Sequence, residues 1–171
     1  MASKYYFINI LRFALLVLAQ TLICNKIGFL GFINPMIYIL FLYWYPIKQN
    51  RAVFIIISFL LGFIIDIFSD TLGIHAASTV TIAYMRPTIM RFCFGVNYEF
   101  QSFKLASVPR IQQITYIALL IIIHHSVFFI LEVFSFENFL LILKKILAVS
   151  LASLILCILL SSLFSAKKNN L

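Results

Sequence analysis

The chain is short of charge: Asp, Glu, Lys and Arg make up 11% of its 171 residues, and only five of them are acidic. That scarcity excludes an ordinary water-soluble domain. One soluble core of this length would leave roughly a third of the unfolded chain's surface exposed. With 64% of the residues hydrophobic and a mean hydropathy of +1.10, most of that surface would be apolar. There are three cysteines, Cys24, Cys93 and Cys157, widely separated and without CxxC or Cys/His ligand spacing. This excludes a disulfide framework or a thiolate metal site and leaves them as small apolar residues. Neither Gly-x-Ser-x-Gly nor His-Glu-x-x-His occurs, so neither a serine-hydrolase elbow nor a zinc-protease helix is present. No catalytic residue, metal or cofactor is expected. The thirteen Lys and Arg are scattered singly between apolar runs, a spacing that reads as membrane topology and not as a phosphate track, so nucleic acid is not an expected partner.

What the sequence has in abundance is long hydrophobic runs. A helix crosses the hydrocarbon with about 20 apolar residues, fewer where its ends are buried in protein. Six runs meet that test, at about 5–23, 29–45, 52–68, 71–90, 112–134 and 139–164, so the expected fold is a single all-α integral membrane domain of six transmembrane helices. The first is expected to stay as a helix and not be cleaved as a signal, because Arg12 interrupts it and no small-x-small cleavage site follows. The second, bounded by Asn34-Pro35 and Tyr45-Pro46, is short, and the fourth, with Pro87 close to its end, is the least apolar. With six spans, Lys4, Lys48, Arg51, Arg86, Arg91, Lys104, Arg110, Lys167 and Lys168 fall on one side and Lys26 on the other. The positive-inside rule places the richer side, and both termini, in the cytoplasm. Tyr43, Trp44 and Tyr45 sit at headgroup level on that side.

Ionisable side chains inside a span are costly and are the first place to look for function. Asp66, His75, Glu132, Lys144 and Lys145 lie in the outer half, with Asp70 at the turn between spans three and four. Asp70 is placed to cap the first free N–H groups of span four. Lys144 and Lys145 can snorkel, or one can pair with Glu132 across the hairpin of spans five and six. A short carboxyl one turn inside the membrane needs a donor, so Asp66 is either a structural anchor or a ligand contact. Arg12 is too far towards the cytoplasmic end to be its partner and is expected to snorkel or to meet helix-end carbonyls. His124 and His125 fall near mid-membrane, pointing about 100° apart, and are expected to hydrogen-bond between helices. A zinc site would need a third ligand at their depth, which the sequence does not plainly supply.

After Arg91, Phe92, Phe94, Val96, Tyr98 and Phe100 alternate with Cys93, Gly95, Asn97, Glu99 and Gln101. This period of two predicts an extended amphipathic segment, either an interfacial flap or a docking strip for a partner.

Gly62-Phe-Ile-Ile-Asp66-Ile-Phe-Ser-Asp70-Thr71-Leu72-Gly73-Ile-His75-Ala76, followed by Ala83-Tyr84, resembles the signature hairpin of the rod shape-determining MreD family. In that family a Gly-x-x-x-Asp on span three leads through a short turn to a Gly near the start of span four. Asn34-Pro35, Tyr45-Pro46 and the acidic Glu132 late in span five fit the same pattern, and the likeness covers most of the chain in length and order. His75 and the His124-His125 pair are not general features of the family. The resemblance implies a non-catalytic subunit of the bacterial cell-elongation machinery in the plasma membrane. Such a subunit binds MreC, acts with MreB, RodA and an elongation transpeptidase, and so governs cell shape and peptidoglycan synthesis. It also implies a six-helix bundle like the substrate-binding subunits of energy-coupling-factor transporters, with Gly62 and Gly73 permitting close helix contact. From the residues alone, a small-molecule-binding or transport subunit with an outer-half polar pocket stands as the alternative.

Overall fold

The computed structural model describes residues 2–27, 33–100, 103–134 and 139–166. Every element among them is helical. Helix α1 (Ala2–Ala19) runs through a π-turn, Gln20–Cys24, into one further turn, α2 (Asn25–Ile27). There follow α3 (Ile39–Trp44), α4 (Arg51–Ser69), α5 (Ile74–Phe94), α6 (Arg110–Val133) and α7 (Phe139–Ala166). α4 packs on α5, α5 on α6 and α6 on α7, while α3 is enclosed by α1, α5 and α6.

Local chemistry sets the boundaries. The Asn50 side chain accepts the Ala52 N–H at 2.8 Å and starts α4, as an N-cap asparagine should. Asp70 closes that helix in the left-handed region, at φ 56°. Gly73, at φ +95°, opens α5, and Gly95, at φ +64°, ends it. These two positions need glycine for its backbone freedom. Pro109 starts α6, where its missing N–H costs nothing.

Among the described residues, four helical stretches are long and apolar enough to cross a membrane: Phe7–Cys24, Arg51–Ser69, Arg110–Val133 and Phe139–Leu163. Their outward faces are apolar, with Ile10, Leu22, Ile56, Ile67, Ile122, Leu147 and Leu159 all exposed. An exterior of that kind suits lipid, and four such helices accord with a multi-pass membrane protein. α5 is 21 residues long, about 32 Å at 1.5 Å per residue, but carries Ser, Thr, His and Arg and is mostly enclosed.

The second expected span departs from the expectation. Of 29–45, residues 28–32 lie outside the described set, and the helix covers only Ile39–Trp44, about 9 Å. Residues 34–36 are irregular and 37–38 form a turn. Asn34-Pro35 delays the helix, since proline lacks an N–H and restricts the residue before it. Yet Met36 to Tyr43 are all buried. Irregular backbone can lie at such depth only if protein groups satisfy it, and flanking helices supply them. The Gln20 amide donates to the Pro35 carbonyl at 3.2 Å and accepts the Ile37 N–H at 2.8 Å, while Ser153 Oγ accepts the Met36 N–H at 2.9 Å. The π-turn places Gln20 inward, at 1% exposure. The bundle therefore has a broken element at its centre, braced by one glutamine and one serine.

Candidate functional site

The α4–α5 hairpin is built around two residues the sequence singles out. A Cβ added at Gly62 would lie 2.5 Å from Ala76 Cα, the His75 carbonyl oxygen and Thr79 Oγ1. Only glycine lets the two backbones approach so closely. Four residues on, the buried Asp66 carboxyl accepts from Thr71 Oγ1 at 2.5 Å, from the His75 N–H at 2.9 Å and from the Ala76 N–H at 2.8 Å. Asp66 thus caps α5 from the neighbouring helix and lies where the helix dipole favours an acid. Asp70 does not perform the capping expected of it: it is exposed and terminates α4. Gly73 does not perform its expected role either, because a Cβ at this position would meet nothing within 4 Å; its function is the positive φ.

At the core of the bundle the three histidines join the broken element. The Tyr38 hydroxyl, fully buried, lies 2.7 Å from His75 Nδ1 and 2.7 Å from His124 Nε2. It has one proton, so it can donate to one ring, and the other must donate to it. His125 points elsewhere, as adjacent residues on a helix must. Its Nδ1 faces the Ile121 carbonyl at 2.7 Å, which can only accept, so Nδ1 carries the proton. Nε2 is then the acceptor for Ser153 Oγ at 3.3 Å, the same hydroxyl that receives Met36 N–H. His124 Nδ1 and Ser150 Oγ are buried without a partner among the described residues.

Tyr38→Phe removes the hydroxyl from between two imidazoles. We expect a loss of about 2 kcal/mol, since buried polar groups left unpaired cost roughly 1–3 kcal/mol each. That exceeds the roughly 0.6 kcal/mol typical of one interhelical hydrogen bond in a membrane. Unfolding of the purified variant in mixed micelles measures it, and an unchanged midpoint would mean that the hydroxyl is energetically idle.

Above His75 lies a cavity of about 410 Å³, within the range of small-molecule sites. His75, Glu132 and Lys145 line it together with Gln20, Asn25 and Lys26 from the π-turn region, and Phe68, Phe128 and Phe129 supply apolar wall. Lys145 donates to Glu132 at 3.1 Å across the α6–α7 hairpin, one of the two alternatives the sequence leaves for the lysine pair. Asp66 and Asp70 do not line the cavity; Asp66 borders it through Thr71 and His75, which do. Lys144 is exposed. Among the described residues, no three of His, Cys, Asp and Glu come together as metal ligands.

At the opposite end, Arg86, treated by the sequence as a topology charge, is buried. It donates to the Tyr116 hydroxyl at 2.8 Å and to the Tyr45 carbonyl, with Phe54 4.5 Å below its guanidinium. This pins α5 to α6 and to the end of α3. Arg12 stands over the Trp44 ring at 5.3 Å, far from Asp66. The alternating strip is not extended. Phe92 and Phe94 complete α5, and Gly95–Glu99 form a 3-10 helix. Phe92 consequently faces out, whereas Phe94 is buried against Phe103 and Tyr116. Tyr98 is half-buried and Phe100 exposed. The four aromatics share no single face.

Sequence reasoning passed over Tyr38, Gln20 and Ser153. The available signal was a lone amide in an apolar run at Gln20 and a polar-tipped ring just after Asn34-Pro35. No family model matches the chain, and no curated protein and no solved structure matches it either.

Proposed function

We propose that this chain is a non-catalytic scaffold subunit of the bacterial cell-elongation machinery, of the MreD type. On this reading it lies in the plasma membrane as a six-span bundle, with α3 and its irregular lead-in as the short second span and α5 as the fourth. The ends bearing Lys48, Arg51, Arg86, Arg91 and Arg110 face the cytoplasm by the positive-inside rule. It associates with an MreC-like protein and, through it, with MreB filaments, RodA and an elongation transpeptidase, and so regulates cell shape and peptidoglycan synthesis. One observation carries the reading. Gly62, Asp66 and Gly73, three positions of the hairpin motif in the family resemblance, are all used in making one joint between α4 and α5. A motif whose glycines and buried acid serve architecture suits a subunit that works by association. The apolar outer faces of α1, α4 and α7 leave room for a partner's transmembrane helix.

Co-purification in mild detergent tests it. The chain should retain a protein with one N-terminal membrane helix and a periplasmic coiled coil, and Asp66→Ala should lower both hairpin stability and recovery of that partner. Recovery of the partner undiminished from a destabilised Asp66→Ala variant, alongside loss of a bound small molecule, would favour the second reading. That reading is a small-molecule-binding or transport subunit, and it draws on the cavity that His75, Glu132 and Lys145 share.

A further inference from the structure

The cavity is amphipathic in a particular way. Of its three formally charged lining residues, Glu132 and Lys145 neutralise each other at 3.1 Å. Lys26 remains, on the π-turn side, with no hydrogen bond or ion pair among the described residues. The lining thus carries one net positive charge; the Asp66 carboxyl, just behind Thr71 and His75, is taken up by the Thr71 hydroxyl and the His75 and Ala76 N–H groups. At the inner boundary stands His75, 4% exposed. Its Nδ1 is committed to Tyr38, and its Nε2 has no partner among the described residues. That nitrogen is available to a ligand group or water. The wall between these polar points is aromatic: Phe128 lies 4.6 Å from the His75 ring, and Phe129 lies beneath Lys145.

We infer that this cavity binds an amphipathic organic anion, its phosphate or carboxylate meeting Lys26 and its apolar body lying on Phe128 towards His75. The rationale is complementarity. An anion pairs with the one unpaired cation of the lining, and an apolar body displaces water from the phenylalanine wall. A neutral ligand would leave Lys26 unmatched, and a cation would be repelled by it. Two sources fit this chemistry, an anionic lipid headgroup entering from the bilayer edge and a soluble aromatic anion entering from water. The inference rests on the small-molecule reading of the cavity and is independent of partner docking.

The three histidines give a direct readout, because ¹⁵N-imidazole spectra of the full chain in a non-ionic detergent contain only three rings. The probes are phenyl phosphate, dihexanoyl phosphatidylglycerol and, as the neutral control, benzyl alcohol. We expect a saturable shift of the His75 resonance with at least one of the two anions. It should weaken about tenfold in Lys26→Gln, the loss of one charge-assisted hydrogen bond. Lys26 is exposed, so the variant should fold, which unchanged His124 and His125 signals would verify. Phosphatidylglycerol alone shifting His75 assigns the lipid source, and phenyl phosphate alone assigns the soluble one. Equal binding of benzyl alcohol, or anion binding indifferent to Lys26→Gln, overturns the anion site while leaving a ligand cavity in place. No shift of His75 with any of the three overturns both.

Discussion

Gly62→Ala should destabilise the protein by about 2 kcal/mol, although helix propensity alone predicts the opposite. An alanine within a helix is favoured over glycine by about 1 kcal/mol. Against that, the new methyl would lie 2.5 Å from two backbone atoms of α5, Ala76 Cα and the His75 carbonyl oxygen. Carbon contacts are optimal at about 3.5–4.0 Å, and backbone atoms cannot rotate aside as a side-chain tip can. α4 and α5 must therefore separate, at a cost of about 3 kcal/mol, which outweighs the propensity gain. Separation also lengthens the Asp66 bonds to the His75 and Ala76 N–H groups, now 2.9 and 2.8 Å, so the two effects reinforce each other. Gly62→Leu should prevent the hairpin from closing and abolish folded yield. Unfolding of the alanine variant in mixed micelles decides the matter: a variant more stable than the parent would show that the helices do not approach this closely.

The parts of this fold that were legible in the sequence are those fixed by local physics. Long, predominantly apolar runs placed α1, α4, α6 and α7 to within a few residues, because length and composition alone set a spanning helix. The pairing of Lys145 with Glu132 was one of two readings open to charges near a hairpin turn, the other being snorkelling. What escaped was decided by tertiary partners. Residues 34–38 look apolar enough for a helix, but distant Gln20 and Ser153 satisfy their backbone and let them stay irregular. The period of two in 92–100 suggested an extended strip, yet α5 simply continues to Gly95 and the alternation is incidental. Arg86 counted as one more cytoplasmic charge, whereas Tyr116, Tyr45 and Phe54 come together from three segments to enclose it.

The candidate site shows the same division. The sequence placed Asp66, His75, Glu132 and Lys145 at similar depth. The structure separates them by role: Asp66 is fully used in the hairpin, while the other three border open space. Depth follows from counting residues along a helix; facing follows from how helices pack, and no single segment encodes that. Gln20 illustrates the consequence, since its amide both braces the broken element and borders the cavity. The irregular lead-in to α3 thus supplies part of the cavity wall, Asn34 and Met36.

Asp66→Ala should cost about 3–4 kcal/mol, and the contrast with Asp70→Ala makes it decisive. Removing the Asp66 carboxyl leaves the N–H groups of His75 and Ala76 and the Thr71 hydroxyl without their acceptor. In a buried setting each orphaned group costs roughly 1–3 kcal/mol, and the favourable meeting of an acid with the start of α5 is lost as well. Asp66→Asn keeps one carbonyl oxygen but turns an amide donor towards a backbone donor, so a loss of about 1–2 kcal/mol is expected. Asp70 is exposed and caps nothing in α5, so Asp70→Ala should stay within about 0.5 kcal/mol. Residue spacing alone favours Asp70 as the cap, and geometry assigns the role to Asp66, so the two make opposite forecasts. Unfolding free energies of the variants, with hydrogen exchange at the His75 and Ala76 amides, separate them. Faster exchange at those two amides should accompany Asp66→Ala only. If Asp70→Ala exposed them equally, the capping of α5 by its neighbouring helix would be refuted, and with it the joint on which the scaffold reading rests.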